Sequence, residues 1–253
     1  MIRLIRAEFL KLRTTQVWFW LLLATIAVGA LLAVAAIAPS DGIKTEKDVP
    51  DLFAIFAASP GYILVFVLGV LGVTTEFRYQ TITPSVLQTP SRWAIVTAKL
   101  ITYAITGAIY AAFALLAEAA VGIPWLNARN IPVHLGNSGM QHAILATFGV
   151  IALYGIVGLG VGALLRNQIV AVVVGIVFLL ALENVLLAIP VVKHAWPYTP
   201  EGAKQAILFT HGDASPVDGV HLLGTWAGVL VLVLWAFVPA IVGAAYSMNR
   251  DIT

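Results

Sequence analysis

Long apolar runs separated by short polar breaks make up most of the chain. Six runs, 17–38, 53–75, 93–121, 142–165, 169–189 and 222–246, are candidates to cross a bilayer, since a membrane-spanning helix needs roughly 20 apolar residues. They are apolar nearly all round and do not alternate with period two, so the pattern predicts helices and not barrel strands. The first run follows Arg3, Arg6, Lys11 and Arg13, as a signal peptide would. It is longer than the roughly 7–15 residues of a signal core, so it reads as a retained span.

The polar breaks differ in kind. In residues 2–13, Ile2, Ile5, Phe9 and Leu12 share one helical stripe, while Arg3, Arg6, Lys11 and Arg13 lie off it. This predicts a basic amphipathic helix over residues 1–14, lying along the membrane surface. The alternative is a positive anchor that only fixes topology. Between the second and third runs, TEFRYQTITPSVLQTPSRWAIVTAK holds most of the polar character of the middle of the chain. Thr83 and Pro84 supply a cap and first position for a short helix through Ser85, Val86, Leu87 and Gln88, which Thr89 and Pro90 end. Ser91 then caps the third run. Such a helix suits the docking of a partner through Val86 and Leu87, and a solvated turn is the other reading. The break at 190–221 is long and proline-bearing, and Thr199-Pro200-Glu201 predicts a short helix over about 200–209. Neither an internal repeat nor a soluble domain stands out, so 1–253 reads as one transmembrane domain of all-α class.

Composition agrees. Hydrophobic residues are 60% of the chain and charged ones 10%, against about 25% charged in a soluble domain, and the mean hydropathy is +0.96. The net charge of +2 gives no ground for a nucleic-acid partner. Its distribution matters more. With the N-terminus inside, nine of the 14 basic residues fall on inner segments, namely Arg3, Arg6, Lys11, Arg13, Arg78, Arg92, Lys99, Arg166 and Arg250. The positive-inside bias therefore puts both termini in the cytoplasm of a multi-pass protein of the cell membrane. Lacking cysteine, the chain has no disulfide, thiolate nucleophile or cysteine-based metal site.

Glu118 and Glu183 are the carboxylates within the predicted spans, both toward the outer end. Charges in spans are costly and mark candidate function. Glu118 reads as interfacial. Glu183, with Asn184, is open between a structural bond to a neighbouring element and a place on a transport path. Gly155, Gly158, Gly160 and Gly162 allow close helix approach in the fourth span, within the subunit or at an interface. Trp18, Trp20, Trp93, Trp125 and Trp196 sit near span ends, as an aromatic belt would. His134, His142, His194, His211 and His221 lack metal-ligand spacing.

The loop after the second span resembles the cytoplasmic loop of ABC-2 type permeases. Glu76, Arg78, Thr81, Leu87, Pro90, Arg92 and Lys99 stand in the order and spacing of that family's pattern, with Gln80 where many relatives have glycine. AEFLKLRTT at 7–15 resembles the family's opening, and ENVLLAIP with the proline-bearing helix after it resembles the fifth span and outer re-entrant region. The resemblance implies a coupling helix between spans two and three, and docking of a separate ATP-binding cassette ATPase dimer. Its contacts would be Glu76, Arg78, Thr81, Val86, Leu87, Pro90, Arg92 and Lys99, together with Arg3, Arg6, Glu8, Lys11 and Arg13 of the interfacial helix. A second permease subunit, identical or not, would complete the path, to which Glu183 and Asn184 would contribute. The chain has no Gly-Lys-Ser or Gly-Lys-Thr, so ATP and magnesium would belong to the partner, with no cofactor, metal or catalytic residue on this chain. The expected function is that of the membrane subunit of an exporter for a hydrophobic or amphipathic substrate. The alternative is an ion- or proton-coupled secondary transporter working through Glu118 and Glu183.

Overall fold

The computed structural model describes residues 1–38, 49–79, 92–209 and 220–249. Its regular structure is helical: α1 (Ile2–Thr14), α2 (Val17–Ile37), α3 (Val49–Arg78), α4 (Arg92–Ala128), α5 (Ser138–Leu165), α6 (Gln168–Val177), α7 (Glu183–Ala188), α8 (Pro200–Leu208) and α9 (Thr225–Asn249). A π-turn over Phe178–Leu182 joins α6 to α7, and a 3-10 turn over Lys193–Tyr198 precedes α8. Among the described residues six helical segments are long and apolar enough to cross a membrane, so the protein is a multi-pass membrane protein. The proposed loop helix near residues 83–90 lies outside the described residues.

Short polar devices set the corners. Thr15 is extended (φ −89°, ψ 129°) and breaks α1 from α2. Its backbone N–H and hydroxyl both donate to the Leu12 carbonyl, at 3.3 and 2.8 Å, closing the last turn. The Tyr110 hydroxyl donates to the Trp18 carbonyl and ties α2 to α4. Asn137 caps α5 and Asn167 caps α6 through their side-chain oxygens. Thr199 does the same for α8, accepting from the Gly202 N–H at 3.2 Å with Pro200 at the first position. The sequence expectation for that helix holds.

α5 is the hub, with α3, α4 and α9 packed around it. Helices in lipid gain little from hiding apolar surface, because lipid is as apolar as leucine, and so they associate through close packing. The glycines supply it. A Cβ on Gly158 would fall 2.1 Å from the Phe66 carbonyl oxygen, and one on Gly162 would fall 2.9 Å from that of Val70. Gly69 of α3 faces the Gly155 carbonyl equally closely, and Gly160 faces Ala240 of α9. This face of α5 therefore packs inside the subunit.

α4 buries Lys99, Thr102, Tyr103, Thr106, Tyr110, Ala114 and Glu118 and exposes Ile105, Ile109, Phe113 and Leu116. Glu118 is fully buried and not interfacial as expected. Its four-residue spacing from Ala114 and Gly122 places it on the inner stripe. Trp196 also departs from expectation, lying buried against α8 and not in an aromatic belt. α8 itself is almost wholly enclosed. The Lys204 ammonium lies 2.6 Å from Glu201 and 3.9 Å from the centroid of the Tyr62 ring, so charge pairing and the ring face both compensate its burial. His142 Nε2 meets the Ile207 carbonyl at 2.8 Å.

Replacing Gly158 with alanine drives a methyl into helix backbone, which cannot yield without parting α3 from α5. We expect Gly158→Ala to lower stability by about 1–3 kcal/mol. Gly149→Ala, where nothing lies within 4 Å of the new Cβ, is expected to leave it unchanged. Thermal unfolding of the detergent-solubilised protein reads the difference.

Candidate functional site

The end of the bundle that carries α1 also holds the C-terminus of α3 and the N-terminus of α4, the two helices that flank residues 80–91. Four charged side chains from these helices close a ring. Lys11 Nζ donates to Glu8 Oε1 at 2.7 Å and to Glu76 Oε1 at 2.8 Å. Lys99 Nζ donates to Glu8 Oε2 at 2.6 Å and to Glu76 Oε1 at 2.8 Å. Its remaining proton goes to the Gly72 carbonyl at 3.3 Å, so the three donors of the ammonium are all used. Glu8, Glu76 and Lys99 are buried, whereas the Lys11 side chain is 45% exposed.

Local sequence explains the approach. Glu8 follows Leu4 and Ile5 and precedes Leu12 on the side of α1 turned toward the bundle, so its carboxyl enters with an apolar face. Ile2, expected on that stripe, is exposed instead. Glu8, expected among the docking contacts of the interfacial helix, is held inside by pairing with Lys99. Gly72 makes room in α3, since a Cβ there would strike the Tyr103 hydroxyl at 1.9 Å.

Electrostatics follow from closure. Burial pushes the Glu8 carboxyl up, but the Lys99 charge and the hydrogen bonds from Lys11 and Lys99 outweigh it, holding its pKa below the ordinary 4.5. Burial pushes the Lys11 ammonium down, but the hydrogen bonds to Glu76 and Glu8 outweigh it, holding its pKa above the ordinary 10.5.

The other expected residues scatter. Arg3, Arg6 and Arg13 are exposed on α1. Arg78 is exposed at the end of α3, donating to Gln168 Oε1 at 3.5 Å with its guanidinium over the Tyr79 ring. Thr81, Val86, Leu87 and Pro90 lie outside the described residues, as does the side chain of Arg92. Glu183 and Asn184 begin α7 directly after the π-turn, and their side chains too lie outside the described residues. Among the described residues no group of three or more His, Asp or Glu could hold a metal ion. Sequence reasoning missed the joining of Glu8 to Lys99 and the enclosed Lys204. A lone carboxylate inside an apolar stripe was the available signal for the first.

Removing one member of a buried pair strands its partners. Lys99→Met is expected to cost about 3–5 kcal/mol by leaving Glu8 and Glu76 facing each other. Lys11→Met, half in solvent, should cost about 1 kcal/mol or less. Adding Glu8→Gln to Lys99→Met should recover part of the loss. The pH dependence has a definite sign. The Glu8 contribution is complete above 4.5 and fades as pH falls below it, while that of Lys11 is complete below 10.5 and fades above it. The contribution of these two groups to the melting temperature should therefore be flat between those limits, which a comparison of the native protein with the Glu8→Gln, Lys11→Met double variant across pH checks.

A comparison of the chain with curated proteins finds no match. The family described as "ABC-2 family transporter protein" matches residues 4–182, from the first turn of α1 to the end of the π-turn, well over half of the chain. The protein belongs to this ABC-2 family, the membrane permeases of ABC-type transporters.

Proposed function

We propose that the chain is the membrane half of an exporter, driven by a separate ATP-binding cassette subunit that docks on α1 and on residues 80–91. The observation that carries this is the Glu8–Lys11–Glu76–Lys99 ring, which binds α1 to both helices leading into and out of that loop. A force applied to either docking element reaches α3 and α4 through the same buried charges. Glu76 and Lys99 then act as positioning residues, while Val86, Leu87 and the exposed Arg3, Arg6 and Arg13 make contact. The absence of Gly-Lys-Ser and Gly-Lys-Thr from the chain agrees with ATP and magnesium residing on the partner. In this reading the α1 end is cytoplasmic, both termini lie there, and the membrane is the cell membrane. A second permease subunit, identical or related, completes the path. The substrate is hydrophobic or amphipathic, in keeping with the apolar spans.

Co-expression of the tagged permease with candidate ATPase subunits tests the proposal. Capture of one of them is expected, and Val86→Asp with Leu87→Asp should reduce capture to background without lowering the melting temperature. Lys99→Met stabilised by Glu8→Gln should keep capture but lose stimulation of ATP hydrolysis by transport substrate. Failure to capture any ATPase, joined with nucleotide-free transport that a proton gradient drives and Glu118→Gln abolishes, would establish the secondary-transporter reading instead.

A further inference from the structure

A cleft of about 500 Å³ opens beside the ring, between the α1–α2 corner and α3, with Gln168 of α6 at its edge and Tyr103 behind. Leu12, Val17, Leu68 and Leu71 give it an apolar wall. Thr14, Thr15, Thr75, Arg78 and Gln168 add polar groups. We infer that this cleft binds an anionic glycerophospholipid, with the phosphate on Arg78 and the upper part of a tail on Leu68 and Leu71.

Charge complementarity points to an anion. Glu8 and Glu76 of the lining are neutralised by Lys11 and by Lys99 behind it, so Arg78 is the cation of the lining that stands outside the ring. Among the described residues no carboxylate pairs with it, and its hydrogen bond is a long one to a neutral amide. A guanidinium fork in this position matches a phosphate in shape and charge. The Gln168 amide turns its oxygen to Arg78 and keeps two N–H donors for the same anion. The hydroxyls of Thr14, Thr15 and Thr75 each donate to a backbone carbonyl three or four residues earlier. They are left as acceptors, which suits the hydroxyls of a glycerol headgroup.

Depth points to a lipid and not a soluble anion. Val17, Arg78 and Gln168 are the terminal residues of three candidate spans, so the cleft lies where apolar span gives way to interface, the level of lipid phosphates. Exposed apolar residues stand within two turns of the lining residues Val17 and Gln168, Trp20 and Leu23 on α2 and Ile169 and Val173 on α6, and offer a course for the rest of the tail. The site needs no ATPase and stands independently of the exporter reading.

The test uses the full chain in phosphatidylcholine vesicles containing phosphatidylglycerol with a photoreactive diazirine in its tail, and a matched phosphatidylcholine probe. After illumination, the phosphatidylglycerol probe is expected to label peptides containing Val17, Leu68 and Leu71. Arg78→Gln should reduce that labelling by about tenfold or more, and Arg78→Lys by less. Leu71→Trp, which fills the cleft, should abolish it with the melting curve retained. Equal labelling by the phosphatidylcholine probe, labelling confined to other helices, or indifference to Arg78→Gln would overturn the inference. So would cross-linking of two chains at Leu71 in place of lipid, which would make a second copy the occupant. ATPase capture measured in parallel separates the two proposals. An Arg78→Gln protein that loses capture and keeps its label assigns Arg78 to docking and removes the lipid site. One that loses label while capture fails in every variant leaves the lipid site standing alone.

Discussion

Two carboxylates and two ammonium groups must balance where three helices meet, and the geometry at the α1 end follows from that. Each carboxylate meets both lysines, and Lys99 has no proton to spare. Such a buried cluster adds little net stability, because desolvation offsets much of the attraction. Its effect is to select position. A shift of α1 along or around its axis would strand at least one charge, so the helix has one register relative to α3 and α4. The ring is also neutral as a whole, which leaves the arginines around it, Arg78 among them, to set the local field.

The rest of the bundle follows the logic of lipid as solvent. α4 turns threonine, tyrosine, lysine and glutamate inward and bulky hydrocarbon outward, the reverse of a helix in water. Threonine hydroxyls donate to carbonyls of the preceding turn, as Thr102 does to Ala98 and Thr106 to Thr102, both at 2.8 Å. Polar residues can therefore line a helix contact without needing water. At the far end, Lys204 and Glu201 travel inward as a pair on α8, with Tyr62 from α3 supplying the ring face. Both ends thus carry charge in the interior, in each case closed by partners from the protein itself.

Much of this was legible along the chain. Length and continuity of apolar residues located the six spans, and Thr199-Pro200-Glu201 located α8, because these signals are local. The burial of Glu8 was not legible, because a helical wheel sorts residues by polarity alone and shows no partner for a charge. Its partners Glu76 and Lys99 are far away in sequence, and only the folding of three helices brings them within reach. Glu118 and Trp196 were misplaced for a related reason. Proximity to a span end suggests an interface, but the neighbouring helix decides whether that end faces lipid or protein. The glycines of α5 were readable as close-packing residues, though not the identity of α3 and α9 as what they pack against.

In the contact between α3 and α5, Gly69, Gly158 and Gly162 are set against backbone carbonyl groups, among the side chains of Tyr62, Phe66, Tyr154 and Val157. Glycine has no rotamer to freeze, so these three points of closest approach cost no side-chain entropy. At those points the pair is held by the shape of the backbone and not by the choice of side chain. It gives the permease a stiff spine whose cohesion depends on backbone geometry, leaving the lipid-facing surfaces of both helices free to drift in sequence.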